Sequence, residues 1–235
     1  LVEEAARRLL ECASHWEKSC LPKYEDEGWI ELYHHLLMLR SKLTFDQLVG
    51  RYNQYGKDQS TVHVISDRPM WSTALCSNHV MRSGRHFALC KLIRDGGIVG
   101  IVRPVHIDRS DFDDWGLDTF NPGISEFWEY LRDKRTVRLG DSNVHYCTVY
   151  ALEYQCNFNW FDWRRQQPLA YRSIVGLQSG APIGLLLDLD EGTLSVYQNG
   201  KRIALLKDGL SGEYCWQATA WRGSISVERS SAPDD

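Results

Sequence analysis

The stretch LLLDLDEGTLSVYQNGKRI, residues 185–203, joins an aliphatic run to a cluster of acidic residues, and its interpretation decides the fold. An EF-type calcium loop requires oxygen ligands at its first, third and fifth positions, glycine at the sixth and glutamate at the twelfth. Counting from Asp188 places Gly192 at the fifth position, Thr193 at the sixth and Asn199 at the twelfth. The pattern therefore does not match a calcium loop, and it predicts instead a turn between two strands.

The dipeptide Asn199-Gly200 predicts a tight hairpin, because these residues readily adopt the two positive φ angles of a type I′ turn. The flanking segments TLSVYQ and KRIALL alternate between apolar and polar residues, as strands do. From this alternation we expect the core to contain Leu194 and Val196 from the first arm, and Ile203 and Leu205 from the second.

Short segments rich in β-branched and aromatic residues recur from about residue 61 onward, separated by turn residues. This spacing predicts an antiparallel β-sandwich. The segment 123–136 is an exception and predicts a helical turn or an irregular insertion. The predicted strands are TVHVI, FALCKLI, IVGIV, VHYCTVYAL, IGLLLDL, TLSVY, RIALL, WQATAW and SISVE.

The first 49 residues have a different pattern, with apolar residues at three- and four-residue steps. This is the spacing of amphipathic helices. We expect one helix near 2–18, a break around Pro22 and Gly28, and a second helix near 28–40.

The polar segment GRYNQYGKDQS, residues 50–60, predicts a boundary, because it is punctuated by glycines and lacks periodic apolar residues. Two helices alone bury little apolar surface, so we expect them to depend on a neighbour. The sequence predicts a helical extension and linker at 1–60 and a β-sandwich at 61–230.

Composition and charge exclude several classes of protein. The chain has 43% hydrophobic and 25% charged residues, and no apolar run approaches the roughly 20 residues of a membrane helix. The net charge of −4 argues against a nucleic-acid partner. Seven scattered cysteines predict reduced thiols, and hence a cytoplasmic or nuclear location. Because the chain opens at Leu1 rather than at methionine, we expect it to be part of a longer protein.

No catalytic or metal-binding pattern emerges from the sequence. The Gly-x-Ser-x-Gly pattern is absent, and Gly56-Lys57 lacks the upstream glycine and following hydroxyl of a phosphate loop. The spacing of Cys12, His15 and Cys20 matches no zinc knuckle. We therefore expect a non-enzymatic protein without a metal or a cofactor.

Four of the nine tryptophans lie in turn-like contexts close to proline, arginine, aspartate or glycine. Aromatic residues beside arginine are typical of protein-binding surfaces, whereas aromatic residues in a sandwich also pack in the core. Both possibilities stay open for Trp71, Trp115, Trp163 and Trp221.

The segment IGLLLDLDEGTLSVYQNGKRIALLKDGLSGEYCWQAT resembles the SPRY domain family, whose hallmark is an aliphatic run ending in Asp-x-Asp-x-Gly-Thr-Leu, followed by an aromatic residue, Asn-Gly and Leu-x-Gly. MRSGRHFALCKL is similar to the Gly-x-His-aromatic strand of the family, and GGIVGIVRPV to the glycine-containing strand that follows. These three motifs occur in the family's order and span about 62–229.

The resemblance implies a bent β-sandwich of two antiparallel sheets, of the concanavalin-like jelly-roll type, which binds a peptide or protein segment through loops at one edge. SDRPMWST and TAWRGSIS are similar to segments that line the peptide pocket of SPRY proteins serving as receptors for cullin ligases. That pattern has an arginine where Asp67 stands and a small residue where Trp71 stands. The implied partner-binding residues are Arg68, Pro69, Trp71, Trp115, Trp221 and Arg222.

The segment WIELYHHLLMLRSKLTFDQLVG faintly resembles the trailing part of an F-box region. This resemblance implies a ubiquitin-ligase adaptor as a partner of the extension, whereas the alternative is that the helices only pack against the sandwich. In either case we expect a monomer.

A carbohydrate-binding sandwich, or a related glycosidase using Asp188, is the alternative function. NFNWFDW would be its stacking platform, because sugar binding needs exposed rings beside planar polar groups. Contact with RNA through DWRR is a weaker alternative, which the net charge opposes. The candidate sugar-binding partners are Asn157, Asn159, Asp162 and Arg164.

Overall fold

A computed structural model describes most of the 235 residues of the chain. No helix among the described residues is long and apolar enough to cross a membrane. The described residues are 1–65, 70–93, 96–107, 119–136, 138, 140, 142–151, 156–165, 170–178 and 180–233, with the side chains of 170 and 171 excepted.

The chain begins with three helices, α1 (Val2–Glu11), α2 (His15–Cys20) and α3 (Trp29–Arg40). The single helix predicted near 2–18 is wrong, because Ser14 begins a new helix there. The Ser14 hydroxyl accepts a hydrogen bond from the Glu17 amide at 3.2 Å, and the Glu17 carboxylate accepts one from the Ser14 amide at 2.7 Å. This reciprocal capping box stabilises the start of α2 and ends the continuity with α1.

Fourteen strands in the described part of the chain form two antiparallel sheets of seven strands each. The strands are β1 (Gln47–Val49), β2 (Asn53–Tyr55), β3 (Thr61–Val64), β4 (Ser72–Leu75), β5 (Arg85–Ile93), β6 (Gly97–Val102), β7 (Tyr146–Ala151), β8 (Cys156–Phe161), β9 (Ala170–Ser173), β10 (Ile183–Asp188), β11 (Thr193–Gln198), β12 (Lys201–Lys207), β13 (Cys215–Ala220) and β14 (Gly223–Arg229). The first sheet has the order β1-β4-β13-β6-β7-β8-β9 and the second has the order β12-β11-β10-β5-β14-β3-β2.

The predicted sandwich is confirmed, and each of the nine predicted strands coincides with an observed one. Five further strands, β1, β2, β4, β8 and β9, were not predicted. The aromatic residues of β8 belong to the stretch NFNWFDW, which the sequence predicts as a candidate stacking platform and not as a strand. The segment predicted as a linker contains β2, and the division of the chain at about residue 60 stays a prediction.

The hairpin at Asn199-Gly200 is also confirmed, with positive φ angles of 54° and 74°. Leu194 and Val196 are fully buried, as predicted, whereas Leu205 is 46% exposed. Two register shifts between β11 and β12 displace the side-chain alternation of β12. As a result Leu206, rather than Leu205, enters the core.

The main core lies between the two sheets, and a second apolar cluster lies on the opposite face of the first sheet. A helical segment covers this outer face, as predicted for 123–136; it consists of a 3₁₀ turn (Ser125–Phe127) and α4 (Trp128–Lys134). Phe120 and Phe127 pack against each other with ring centroids 4.9 Å apart. We call residues 119–134 the cover.

The helical extension packs against the sandwich through buried charges. The Glu27 carboxylate lies 2.6 Å from Nη1 of Arg82 in the loop before β5, and both side chains are buried. His35 Nε2 lies 2.5 Å from Arg82 Nη2. Burial lowers the pKa of His35 to about 4, and the Arg82 charge contributes, so the ring is neutral at pH 7.

Candidate functional site

Trp71 and Trp221 lie at the ends of two neighbouring strands, and the register of those strands brings them together. Ser72 of β4 pairs with Ala220 of β13 in an antiparallel ladder, so the preceding Trp71 meets the following Trp221. Their ring centroids are 5.2 Å apart, with an interplanar angle of 57°. The two predicted site tryptophans therefore form one aromatic surface at one end of the first sheet, where β4 begins and β13 ends.

Tyr150 extends this surface along the sheet. Its ring centroid is 6.1 Å from that of Trp71. Trp221 is 37% exposed, which is unusual for a tryptophan of a packed sandwich, and Arg222 beside it is exposed as well. Trp71 is partly buried against the second apolar cluster and supports the exposed Trp221. A supported, partly exposed aromatic pair is typical of surfaces that contact another protein, since its rings offer large area at little entropic cost.

A cavity of about 270 Å³ opens between this aromatic surface and the cover. Its walls are mostly aromatic or aliphatic, and its polar groups are amides and hydroxyls. The described lining residues are Trp71, Ile98, Asn121, Gly123, Ile124, Tyr146, Thr148, Tyr150, Asn159 and Phe161.

Gly100 of β6 shapes the sheet beneath the cavity. Gly100 pairs with Gln217 on one side and with Thr148 on the other. A β-carbon at this position would lie 2.1 Å from the Cys147 carbonyl oxygen, so the position requires glycine. Without a side chain between them, polar groups of the two neighbouring strands approach each other.

These polar groups form a buried layer. The Thr73 hydroxyl donates to the Phe120 carbonyl at 2.9 Å and lies 2.8 Å from the Thr219 hydroxyl. The Thr219 hydroxyl donates to Oε1 of Gln217 at 3.0 Å. Burial raises the pKa of the Tyr146 phenol well above its usual range, and the neighbouring Thr219, Thr148 and Gln217 side chains offset this only in part.

The cover is attached to the first sheet by two hydrogen bonds. Nε1 of Trp163, which follows β8, donates to the Pro122 carbonyl at 3.2 Å. The same carbonyl accepts a bond from Nε1 of Trp128 at 3.1 Å, which stabilises the cover internally. The Trp71 amide donates to the Thr119 hydroxyl at 2.9 Å, and this bond joins the aromatic surface to the start of the cover.

Only part of the predicted site falls within the described residues. Arg68, Pro69 and Trp115 lie outside them. Trp71 and Trp221 come together, with Arg222 next in the chain. Trp163, the fourth candidate for surface contact, is instead 2% exposed and packs on His145, with ring centroids 5.2 Å apart.

The stretch NFNWFDW does not form the exposed platform that a sugar site requires. Phe158, Phe161 and Trp163 are buried. Trp160 is partly buried, and the Lys207 ammonium lies over its ring at 5.0 Å from the centroid. These positions disfavour the carbohydrate alternative.

Two carboxylates of the opening stretch accept hydrogen bonds from backbone amides. Asp188 Oδ1 accepts hydrogen bonds from the amides of Asp190 and Glu191 at 3.1 and 3.0 Å. Asp190 Oδ1 accepts one from the Gly84 amide at 2.9 Å. Asp188 therefore stabilises its own turn, as the sequence predicted, whereas Asp190 connects this turn to the loop before β5.

One group of potential metal ligands, Glu27, Glu31 and His35, occurs among the residues that the structure describes. Two arginines lie beside it. Arg82 pairs with Glu27 at 2.6 Å, and Arg138 lies 3.7 Å from Glu31. Guanidinium charges at these positions oppose the binding of a cation, so the group is an ion-pair network between the extension and the sandwich.

Comparison with solved structures identifies the architecture. The chain superimposes on the crystal structure of the TRIM65 PSpry domain with a TM-score of 0.51 and 13% sequence identity, covering 81% of this chain and 90% of that chain. The fold is that of a SPRY domain. The crystal structure of the SPRY domain of human HERC1 matches with a TM-score of 0.48 and 14% identity, covering 79% of this chain and 96% of that one. No family model and no curated protein sequence matches the chain.

Sequence reasoning did not find the cavity on this SPRY fold. Tyr146, Thr148 and Tyr150 alternate along β7 and point to one face, opposite Cys147 and Val149 of the main core. This period of two, with polar and aromatic residues on one face, was the available signal. The sequence contains no such signal for Asn121, because its place in the cavity wall depends on how the cover folds onto the sheet.

Proposed function

We propose that the chain is a protein-interaction module that performs no chemistry. It binds a peptide or protein segment at the end of the first sheet where Trp71 and Trp221 lie. The pair formed by the exposed Trp221 and the partly buried Trp71, beside a preformed cavity, supports this proposal most strongly. Rigid aromatic anchors next to a pocket commonly supply most of the affinity of such interfaces. The proposed surface includes Arg222, together with Arg68, Pro69 and Trp115, which lie outside the described residues.

Trp221→Ala tests this proposal. We expect the substitution to reduce the affinity for protein ligands at least tenfold, since truncating a hot-spot tryptophan costs about 2 kcal/mol or more. The measurement is crosslinking of the purified chain in cell extract, followed by binding constants for each captured protein against wild type and variant.

Trp16→Ala is the matched control, because Trp16 is 44% exposed and lies on the extension, where its indole donates to the Arg85 carbonyl. We expect this variant to bind like the wild type. Equal binding by the wild type and Trp221→Ala, with both folded, would contradict the proposed site.

The extension has a narrower proposed role, which is to pack as part of the folded unit. The buried Glu27–Arg82 pair and the Arg138–Asp26 contact at 2.9 Å support this role. The implied ubiquitin-ligase adaptor remains the alternative, and binding of an adaptor by the full chain, abolished by substitutions on exposed residues of α1 and α3, would favour it. A monomer in the cytoplasm or nucleus is part of the same proposal.

A further inference from the structure

The cavity beside Trp71 has the dimensions of an anchor pocket for a single side chain. Sites for cofactors and drug-sized ligands usually enclose about 300–1,000 Å³, whereas this cavity measures about 270 Å³. Four of its described walls, Trp71, Tyr146, Tyr150 and Phe161, are aromatic rings. Edge and face contacts with these rings favour an aromatic occupant.

The cavity also lacks charge. None of its described lining residues is acidic or basic, and its polar groups are the amides of Asn121 and Asn159, the Thr148 hydroxyl and the tyrosine phenols. Transferring an ionised side chain into such a site would cost its hydration without supplying a counter-ion. The lining therefore selects against acidic and basic side chains.

A buried donor nearby lacks a partner. Gln217 is 1% exposed, and its Nε2 makes no hydrogen bond to any described residue, although Oε1 accepts from Thr219. Gln217 lies opposite Thr148 across Gly100, so its amide belongs to the polar layer that underlies the cavity. Leaving a buried donor unpaired costs about 1–3 kcal/mol. Gln217 does not itself line the cavity, so an acceptor in the cavity would reach its amide through a water molecule.

We propose that this cavity binds one uncharged aromatic side chain whose polar group can both donate and accept a hydrogen bond, namely tyrosine, from the protein ligand. The inference rests on the proposed function and specifies its anchor. The rings of the cavity pack against the occupant, while the amides and hydroxyls receive its polar group. The neighbouring Trp71–Trp221 surface contacts the residues that flank the anchor.

Three small probes of similar shape test the proposal on the full chain. They are p-cresol, which is neutral at pH 7, 4-methylbenzylammonium and 4-methylbenzoate. We expect p-cresol to bind at least tenfold more tightly than either charged probe. Binding is followed by NMR through the indole N–H resonance of Trp71, assigned with Trp71→Phe.

Asn159→Asp places a carboxylate in the cavity wall and should reverse the preference, so that 4-methylbenzylammonium binds more tightly than p-cresol. Thr148→Val keeps the shape of the side chain but removes its hydroxyl, and we expect this variant to bind p-cresol about two- to tenfold more weakly than the wild type does. Gln54→Glu is the control for added charge, because Gln54 is exposed on β2 of the other sheet; it should leave the ranking unchanged.

The outcomes separate this inference from the proposed function. Equal binding of the three probes by the wild type, or binding of p-cresol that leaves the Trp71 resonance unchanged, overturns the anchor pocket even if a variant fails to fold. Capture of protein ligands that depends on Trp221 but is unaffected by Asn159→Asp would also overturn it, while leaving the proposed function intact. Selective p-cresol binding that Asn159→Asp reverses supports it.

Discussion

Asp188 and Asp190 show how two similar residues in one short stretch acquire different roles. Oδ1 of Asp188 accepts bonds within its own turn, and this local role is supplemented by an ion pair between Oδ2 and Arg85 Nε of β5 at 3.4 Å. Asp190 instead reaches a loop 106 residues away, where it accepts a hydrogen bond from the Gly84 amide. The Ser83 hydroxyl also donates to Asp190, at 3.3 Å. Turn composition predicts the first role, because the partners are local. The second role leaves no periodic signal in the sequence, because it depends on how β5 and β10 align.

Replacing Asp190 with alanine should therefore affect stability although the residue lies in an exposed turn. The Gly84 amide would lose its acceptor, and we expect the free energy of unfolding to fall by about 1–2 kcal/mol. Chemical denaturation measures this change. The neighbouring Glu191→Ala should change stability by less than about 0.5 kcal/mol, and equal effects at the two positions would contradict the role assigned to Asp190.

The elements of the fold differ in how far the sequence determines them. The hairpin β11–β12 follows from Asn199-Gly200 alone, yet the two register shifts that accompany the exposure of Leu205 leave no signal in the alternation of the sequence. The break between α1 and α2 could have been predicted from Ser14 and Glu17, which form a recognisable capping box. The attachment of the helices could not, because Glu27, Arg82 and their neighbours come together only in the folded chain.

Glu27→Gln tests whether the extension and the sandwich unfold as one unit. Removing the Glu27 charge leaves the buried Arg82 guanidinium with Glu213, at 3.3 Å, as its described counter-ion, and we expect a loss of up to about 3–5 kcal/mol in a single cooperative transition. The measurement is denaturation followed by fluorescence and by far-ultraviolet circular dichroism. Glu4→Gln is the control: its pairs with Arg7 and Arg8 are exposed, so we expect a change below about 1 kcal/mol.

At the scale of the whole molecule, buried histidines couple stability to pH. Burial is the main cause that lowers the pKa of His35, His79, His86 and His145 to about 4 in each case. In the unfolded chain these rings have a pKa of about 6.5. Between these values the unfolded chain binds more protons than the folded protein, so stability falls as the pH falls.

We expect the free energy of unfolding to decrease by more than about 1.4 kcal/mol per pH unit between pH 6 and 5, which corresponds to the uptake of more than one proton. Burial raises the pKa of Glu213 and of Asp46, and protonation of these two carboxylates in the folded protein opposes this trend. Denaturant titrations at a series of pH values provide the measurement. A flat profile across this window would show that the four rings are not buried as neutral groups.

Arg229 connects the last strand to the first part of the chain: its Nη1 donates to the Ser41 carbonyl at 2.9 Å, and the guanidinium also reaches the Leu39 carbonyl at the end of α3. Arg229 and Ser41 are 188 residues apart in the sequence. At a synthesis rate of about 5–20 residues per second, Arg229 emerges from the ribosome about 10–40 s after α3. The carbonyls at the end of α3 must therefore bind water or a chaperone during translation, and the helices that are made first complete their contacts last.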